Sequence, residues 1–141
     1  METTSLLNCA RGKKILVVED EELVRTVCAA ILHQHGFDHI LASNGADGFE
    51  IYKEKHDEIC LVLSDILMPA RSGLEMFRDI LKIQPHANVI LMSGGSRTEI
   101  IPDEFEKLCS IMKKPFTSSA LMRSINKCLM YEEQKTSGAK G

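Results

Sequence analysis

Residues 61–73 read LVLSDILMPARSG. With Ile59 and Cys60 ahead of them they form an apolar run that ends on one carboxylate, Asp65, and then breaks at Met68-Pro69 and Ser72-Gly73. Continuous apolarity of this kind marks a parallel strand covered on both faces. Burying an aspartate without a partner is costly, so Asp65 must sit at an open strand end or be held by cations.

Upstream, residues 14–18 (KILVV) form a second buried strand, which stops at the charged cluster Glu19-Asp20-Glu21-Glu22. From Glu21 the apolar period becomes helical through Leu23, Val27, Ala30 and Ile31, and Gly36 ends that helix. Residues 37–42 (FDHILA) read as a strand and Ser43-Asn44-Gly45 as a turn, while Ala46, Phe49, Tyr52 and Lys53 mark one face of a short helix. Downstream, Leu74, Phe77 and Leu81 line a helix closed by Pro85, and residues 88–92 (NVILM) are a strand leading into Ser93-Gly94-Gly95-Ser96. Residues 98–108 are helical in composition but contain Pro102, which predicts a short, shifted or irregular helix. Residues 110–112 form a fifth strand, and Thr117 caps a last helix with Leu121, Ile125 and Leu129 on its apolar face beside Ala120 and Cys128. The polar tail from Glu132 is expected to be disordered.

Five strands alternating with five helices predict one α/β domain, a parallel sheet with right-handed crossovers and helices on both faces. Ligands of such sheets bind beyond the carboxyl ends of the strands, where strand order reverses. Asp65 lies at that rim, and so do Glu19-Asp20, Ser93 and Lys114, each at the end of its own strand.

Composition agrees with one domain: 141 residues, 44% hydrophobic and 26% charged. A net charge of −3 argues against nucleic acid or anionic lipid as the main partner. There is no cationic leader followed by a long apolar segment, and no apolar run approaches the ~18 residues of a membrane span. The five cysteines (Cys9, Cys28, Cys60, Cys109, Cys128) show no CxxC and mostly occupy apolar positions, so reduced buried thiols and a cytoplasmic location are expected.

Glu19, Asp20 and Asp65 meeting at one rim would repel one another unless a cation intervened. Hard oxygen ligands with water in the remaining positions suit Mg²⁺, which commonly accompanies phosphoryl groups. Lys114 adds an ammonium, Ser93 a hydroxyl and Gly94 an unobstructed N–H. Together they can neutralise the three equatorial oxygens of a phosphoryl group.

On ILVVEDEELVR with Glu19-Asp20, LVLSDILMP with Asp65, VILMSGG with Ser93 and KKPFT with Lys114-Pro115-Phe116, the sequence resembles the receiver domain of two-component response regulators over residues 12–131. Residues 1–11 are then a lead and 132–141 a tail. The resemblance, not the periodicity, implies a flavodoxin-like (βα)5 fold with strand order 2-1-3-4-5. It also implies that Asp65 is the phosphoacceptor, assisted by Ser93 and Lys114. Asp20 is a direct Mg²⁺ ligand by the same resemblance, Glu19 an outer-sphere one and the Leu67 backbone carbonyl a third protein ligand. The donor is the phosphohistidine of a histidine kinase or of a histidine phosphotransfer protein in a phosphorelay. The product, an aspartyl phosphate, signals by altering contacts with a downstream protein. Such a chain is no turnover enzyme and promotes only its own phosphorylation and dephosphorylation. No effector domain is expected after Tyr131.

Several positions depart from the family pattern. Glu19 stands where Asp is more usual, and Ser93 where threonine is commoner. Ile111 replaces an aromatic switch residue, and Gly94-Gly95-Ser96 frees the backbone that follows Ser93. The signalling surface is therefore expected to be remodelled. Neither Leu67 nor Gly95 can orient an attacking water, so slow self-dephosphorylation is expected.

Other readings are weaker. A haloacid-dehalogenase-like phosphohydrolase needs Asp-x-Asp, and here the residues are Asp65-Ile66-Leu67. A flavin carrier wants a phosphate-binding loop where this chain is acidic. A receiver-like scaffold that works without phosphorylation rests on Glu19 and Ile111, and redox sensing by Cys60 or Cys109 is opposed by their apolar surroundings. Leu121, Met122, Ile125, Leu129 and Met130 exceed one narrow stripe, which leaves a homodimer surface open beside the plainer reading that they complete the core.

Overall fold

The computed structural model describes residues 12–68, 71–94 and 107–140, with 130–140 by backbone alone. The strands are β1 (Lys14–Val18), β2 (Asp38–Ala42), β3 (Ile59–Asp65), β4 (Val89–Ser93) and β5 (Ser110–Lys113). They form one sheet in the order β2-β1-β3-β4-β5, with every neighbouring pair parallel. The described helices are α1 (Glu22–Gln34), α2 (Gly45–Lys55), α3 (Gly73–Ile83) and α4 (Ser118–Lys140), and a 3-10 turn, His56–Glu58, leads into β3. This is the doubly wound sheet expected from the sequence, and its strand order reverses between β1 and β3.

Alternate strand residues point to opposite faces, and among the described residues each face packs against a different pair of helices. Ile15, Val17, Leu61, Leu63, Ile90 and Met92 pack with Cys28, Ile31 and Leu32 of α1 and with Leu121, Ile125, Cys128 and Leu129 of α4. On the other face Leu16, Val18, Val62, Val89 and Leu91 pack with Tyr52 of α2 and with Leu74, Met76, Phe77 and Ile80 of α3. The central strands are therefore apolar throughout, and polar groups are displaced to their ends.

The helix boundaries follow from local chemistry. Gly36 takes φ +83° after α1, its N–H bonding the His33 carbonyl at 3.1 Å while the Phe37 N–H bonds that of Leu32 at 2.9 Å, a Schellman cap. The Thr117 hydroxyl accepts from the Ala120 N–H at 3.0 Å and caps α4 as expected.

Four expectations need correction. On α1 the buried row is Cys28, Ile31 and Leu32 with Val24 half-buried, whereas Leu23 and Val27 are 77% and 47% exposed and Ala30 is also exposed. The two rows lie one residue, about 100°, apart, and periodicity alone does not choose between them. On α2 it is Gly45, Gly48 and Tyr52 that are buried, with Ala46 and Lys53 exposed. The backbone of α4 continues helical to Lys140, through most of the segment expected to be disordered, and Glu132-Glu133-Gln134-Lys135 are good helix formers. Finally, the cysteines are not all reduced: Cys109 and Cys128 are joined, Cys60 is also disulfide-bonded, and Cys28 is a free buried thiol. The topology brings Cys109 and Cys128 together from β5 and α4, which sequence spacing does not reveal. Of the helix expected over 98–108, residues 98–106 lie outside the described residues, as do the lead and Gly95-Ser96, and residues 107–108 are not helical.

Candidate functional site

The site lies in the crevice between the ends of β1 and β3. β1 ends at Val18, so Glu19 and Asp20 stand directly beyond it, and Asp65 is the last residue of β3. Ser93 closes β4, and Lys114 follows β5. The Lys114 N–H donates to the Ser93 carbonyl at 2.8 Å, which fixes the start of its side chain against β4.

From there the Lys114 ammonium reaches back across the sheet. Its Nζ donates to Glu19 Oε1 at 3.0 Å and to Asp65 Oδ2 at 3.0 Å, and lies 3.7 Å from Glu21 Oε1. Glu19 is fully buried, Asp65 is nearly so, and Asp20 is exposed. The second Glu19 oxygen accepts from the Glu21 N–H at 2.9 Å, and Arg25 Nη1 donates to the Glu19 carbonyl at 2.7 Å. Burial pushes the Glu19 carboxyl up, against the lowering effect of the Glu21 N–H and of Lys114. Burial alone would lower the Lys114 ammonium, but its hydrogen bonds to Glu19 and Asp65 and their negative charge outweigh it, and its pKa is raised.

One oxygen each of Glu19, Asp20 and Asp65 lies within 4.8 Å of the others, so a single small cation can meet all three carboxylates. The donors are hard oxygens and the exposed side of the cluster is open through Asp20, which fits Mg²⁺ with several waters retained. Ser93 is buried at the β4 end, the exposed Gly94 passes beside the Lys114 stem, and Leu67 lies two residues beyond Asp65 with an exposed side chain.

The turn after Asp65 is held by contacts that sequence reading missed. A Cβ on Gly73 would collide with the Asp65 carbonyl and the Ser64 hydroxyl, so glycine alone lets α3 start this close to β3. The Gly73 N–H bonds the Ile66 carbonyl at 2.7 Å, and Ile66 N–H that of Met92 at 3.0 Å. Ser72 and Glu75 form a reciprocal capping box at the head of α3. The Arg71 guanidinium pairs with Asp79 and lies 4.8 Å from the Phe49 ring centre, tying the turn to α2 and α3. The Ser-x-x-Glu spacing was a readable signal for the box. Glu21 and Arg25, which hold Glu19, carry no such signal.

The sequence matches the profile of the response regulator receiver domain over residues 15–126. The chemotaxis protein CheY of Thermotoga maritima is 31% identical over 118 residues, covering 82% of this chain and 97% of CheY. A response regulator receiver domain protein from Clostridium thermocellum superposes with a TM-score of 0.80 at 30% identity, covering 86% of this chain and 98% of that one. The response regulator protein TrrA from Thermotoga maritima, solved in complex with Mg²⁺-BeF, superposes with a TM-score of 0.74 at 28% identity, covering 82% and 98%.

Proposed function

The chain belongs to the response regulator receiver domain family, and from that premise we propose that it accepts a phosphoryl group on Asp65 from the phosphohistidine of a histidine kinase or a histidine phosphotransfer protein. The observation that carries this reading is the single ammonium of Lys114 shared at 3.0 Å between Glu19 and Asp65, with Asp20 alongside. Receiver domains are signalling phosphoacceptors, and the work asked of this chain is positioning and charge stabilisation.

In the proposed step, an Asp65 carboxylate oxygen forms the new bond to phosphorus as the phosphorus–nitrogen bond to histidine breaks, the electron pair leaving with the imidazole. Lys114, already donating to Glu19 and Asp65, is placed to turn its third N–H to an incoming phosphoryl oxygen, and the Ser93 hydroxyl donates to another. Asp20, Asp65 and the Leu67 carbonyl would hold Mg²⁺, which would supply positive charge against the phosphoryl group. Both Glu19 oxygens are already engaged, which supports an outer-sphere role for Glu19: it anchors Lys114 and would act on a bound metal without ligating it directly. The aspartyl phosphate then alters contacts with a downstream protein. With Ile111 on β5 in place of an aromatic, that output does not use a rotating ring. We place this exchange in the cytoplasm; no described helix is long and apolar enough to cross a membrane.

Intact mass after incubation with Mg²⁺ and acetyl phosphate tests the reading. The wild type should gain one phosphoryl mass, and chelation should abolish the gain. No gain with acetyl phosphate or phosphoramidate would leave the scaffold reading in its place.

A further inference from the structure

Cys109 and Cys128 are joined by a disulfide, with Cα atoms 5.3 Å apart and a sequence separation of 19. Cys109 immediately precedes β5 and is fixed to β4 by its N–H, which bonds the Val89 carbonyl at 3.0 Å. Cys128 is fully buried on the inner face of α4 with Leu129 and Ile125. The covalent loop between them contains all of β5, Lys114 and the first turns of α4. The ammonium that joins Glu19 to Asp65 is therefore carried on a loop closed by this bond.

We propose that Cys109 and Cys128 are a reversible thiol–disulfide pair whose oxidation fixes the segment carrying Lys114, so that the redox state sets how well the acidic site is assembled. The effect on phosphorylation rests on the function proposed above; the effect on Lys114 does not. In a reducing compartment a disulfide is a transient, responsive bond rather than a permanent staple. Cys109 is half-buried and Cys128 is not exposed, so a small disulfide such as oxidised glutathione meets Cys109 first. The Cys109 thiolate attacks one glutathione sulfur, forming a mixed disulfide and releasing one glutathione thiolate. The Cys128 thiolate then attacks the Cys109 sulfur and releases the second. Two electrons pass from the two cysteines to oxidised glutathione, and the two thiol protons end on the two reduced glutathiones.

The test compares the full chain equilibrated with oxidised glutathione and with a phosphine reductant, beside Cys109→Ala, which keeps Cys60 and so shows any response that Cys60 alone gives. Tryptic mapping should find residues 108–113 linked to residues 128–135 in the oxidised chain and separate in the reduced one. Reduction should lower the melting temperature by roughly 10 °C. It should also speed hydrogen exchange at the Lys114 amide about tenfold, because the bond to Ser93 loses its tether. Phosphoryl uptake should slow about threefold or more. Cys109→Ala should behave like the reduced chain under both conditions. Peptides that never link, or that link without changing Lys114 exchange, would overturn the proposal. Uptake absent in both redox forms while Lys114 exchange still responds would instead remove the phosphoacceptor reading and leave the switch standing.

Discussion

At Lys114 one ammonium serves two buried carboxylates, and its raised pKa gives the arrangement a pH signature. A lysine raised in the folded state contributes stability that is complete below its ordinary value of 10.5 and is lost as pH rises through the higher folded value. Tyr52, pushed up to about 12 by burial, titrates in the same range with the same sign, so the useful quantity is the difference between wild type and Lys114→Met. That difference, followed by urea unfolding, should shrink as pH rises above about 10.5; a flat difference to the highest pH at which the chain folds would contradict the pairing. Leu67 yields a second expectation. With no polar group there to orient water, the aspartyl phosphate should decay slowly, and Leu67→Asn should hasten decay, as read by loss of phosphoryl mass with time. Asp65 and Lys114 were legible in the sequence because a charge at the end of an apolar strand is conspicuous. The complete occlusion of Glu19 was not, since it depends on Glu21 and Arg25 folding back along the first turn of α1.

Among the elements, the β3–α3 turn carries the greatest constraint. Gly73→Ala would drive a methyl group into the Asp65 carbonyl, so α3 must move away from β3. Overpacking of this kind costs about 1–3 kcal/mol, and the displaced Asp65 should also take up phosphoryl more slowly. Unfolding in urea beside the uptake assay checks both, and an unchanged variant would show that the turn has slack. Strands and helix boundaries were legible here because Gly36, Pro85 and Thr117 act through local backbone chemistry. The buried face of α1 was not, because Leu23-Val27 and Val24-Cys28 are apolar rows a single residue apart, and the sheet beneath decides between them.

For the whole molecule, the alternation of five apolar runs with amphipathic segments was enough to indicate a parallel sheet with helices on both faces, and the rim positions of Glu19, Asp20, Asp65, Ser93 and Lys114 followed from it. Strand order and the roles of those residues came through family resemblance, because periodicity does not say which strand lies beside which. The Cys109–Cys128 bond was hidden for the same reason: 19 residues apart, the two meet only when α4 docks on β5. The central claim is that phosphate is carried on Asp65 and nowhere else. Borohydride reduction of the phosphorylated chain, followed by peptide sequencing, reads this directly, since an aspartyl phosphate is reduced to homoserine while free carboxylates are untouched. Homoserine at position 65 is the predicted result; homoserine at position 20, or a phosphorylated chain with none, would contradict it.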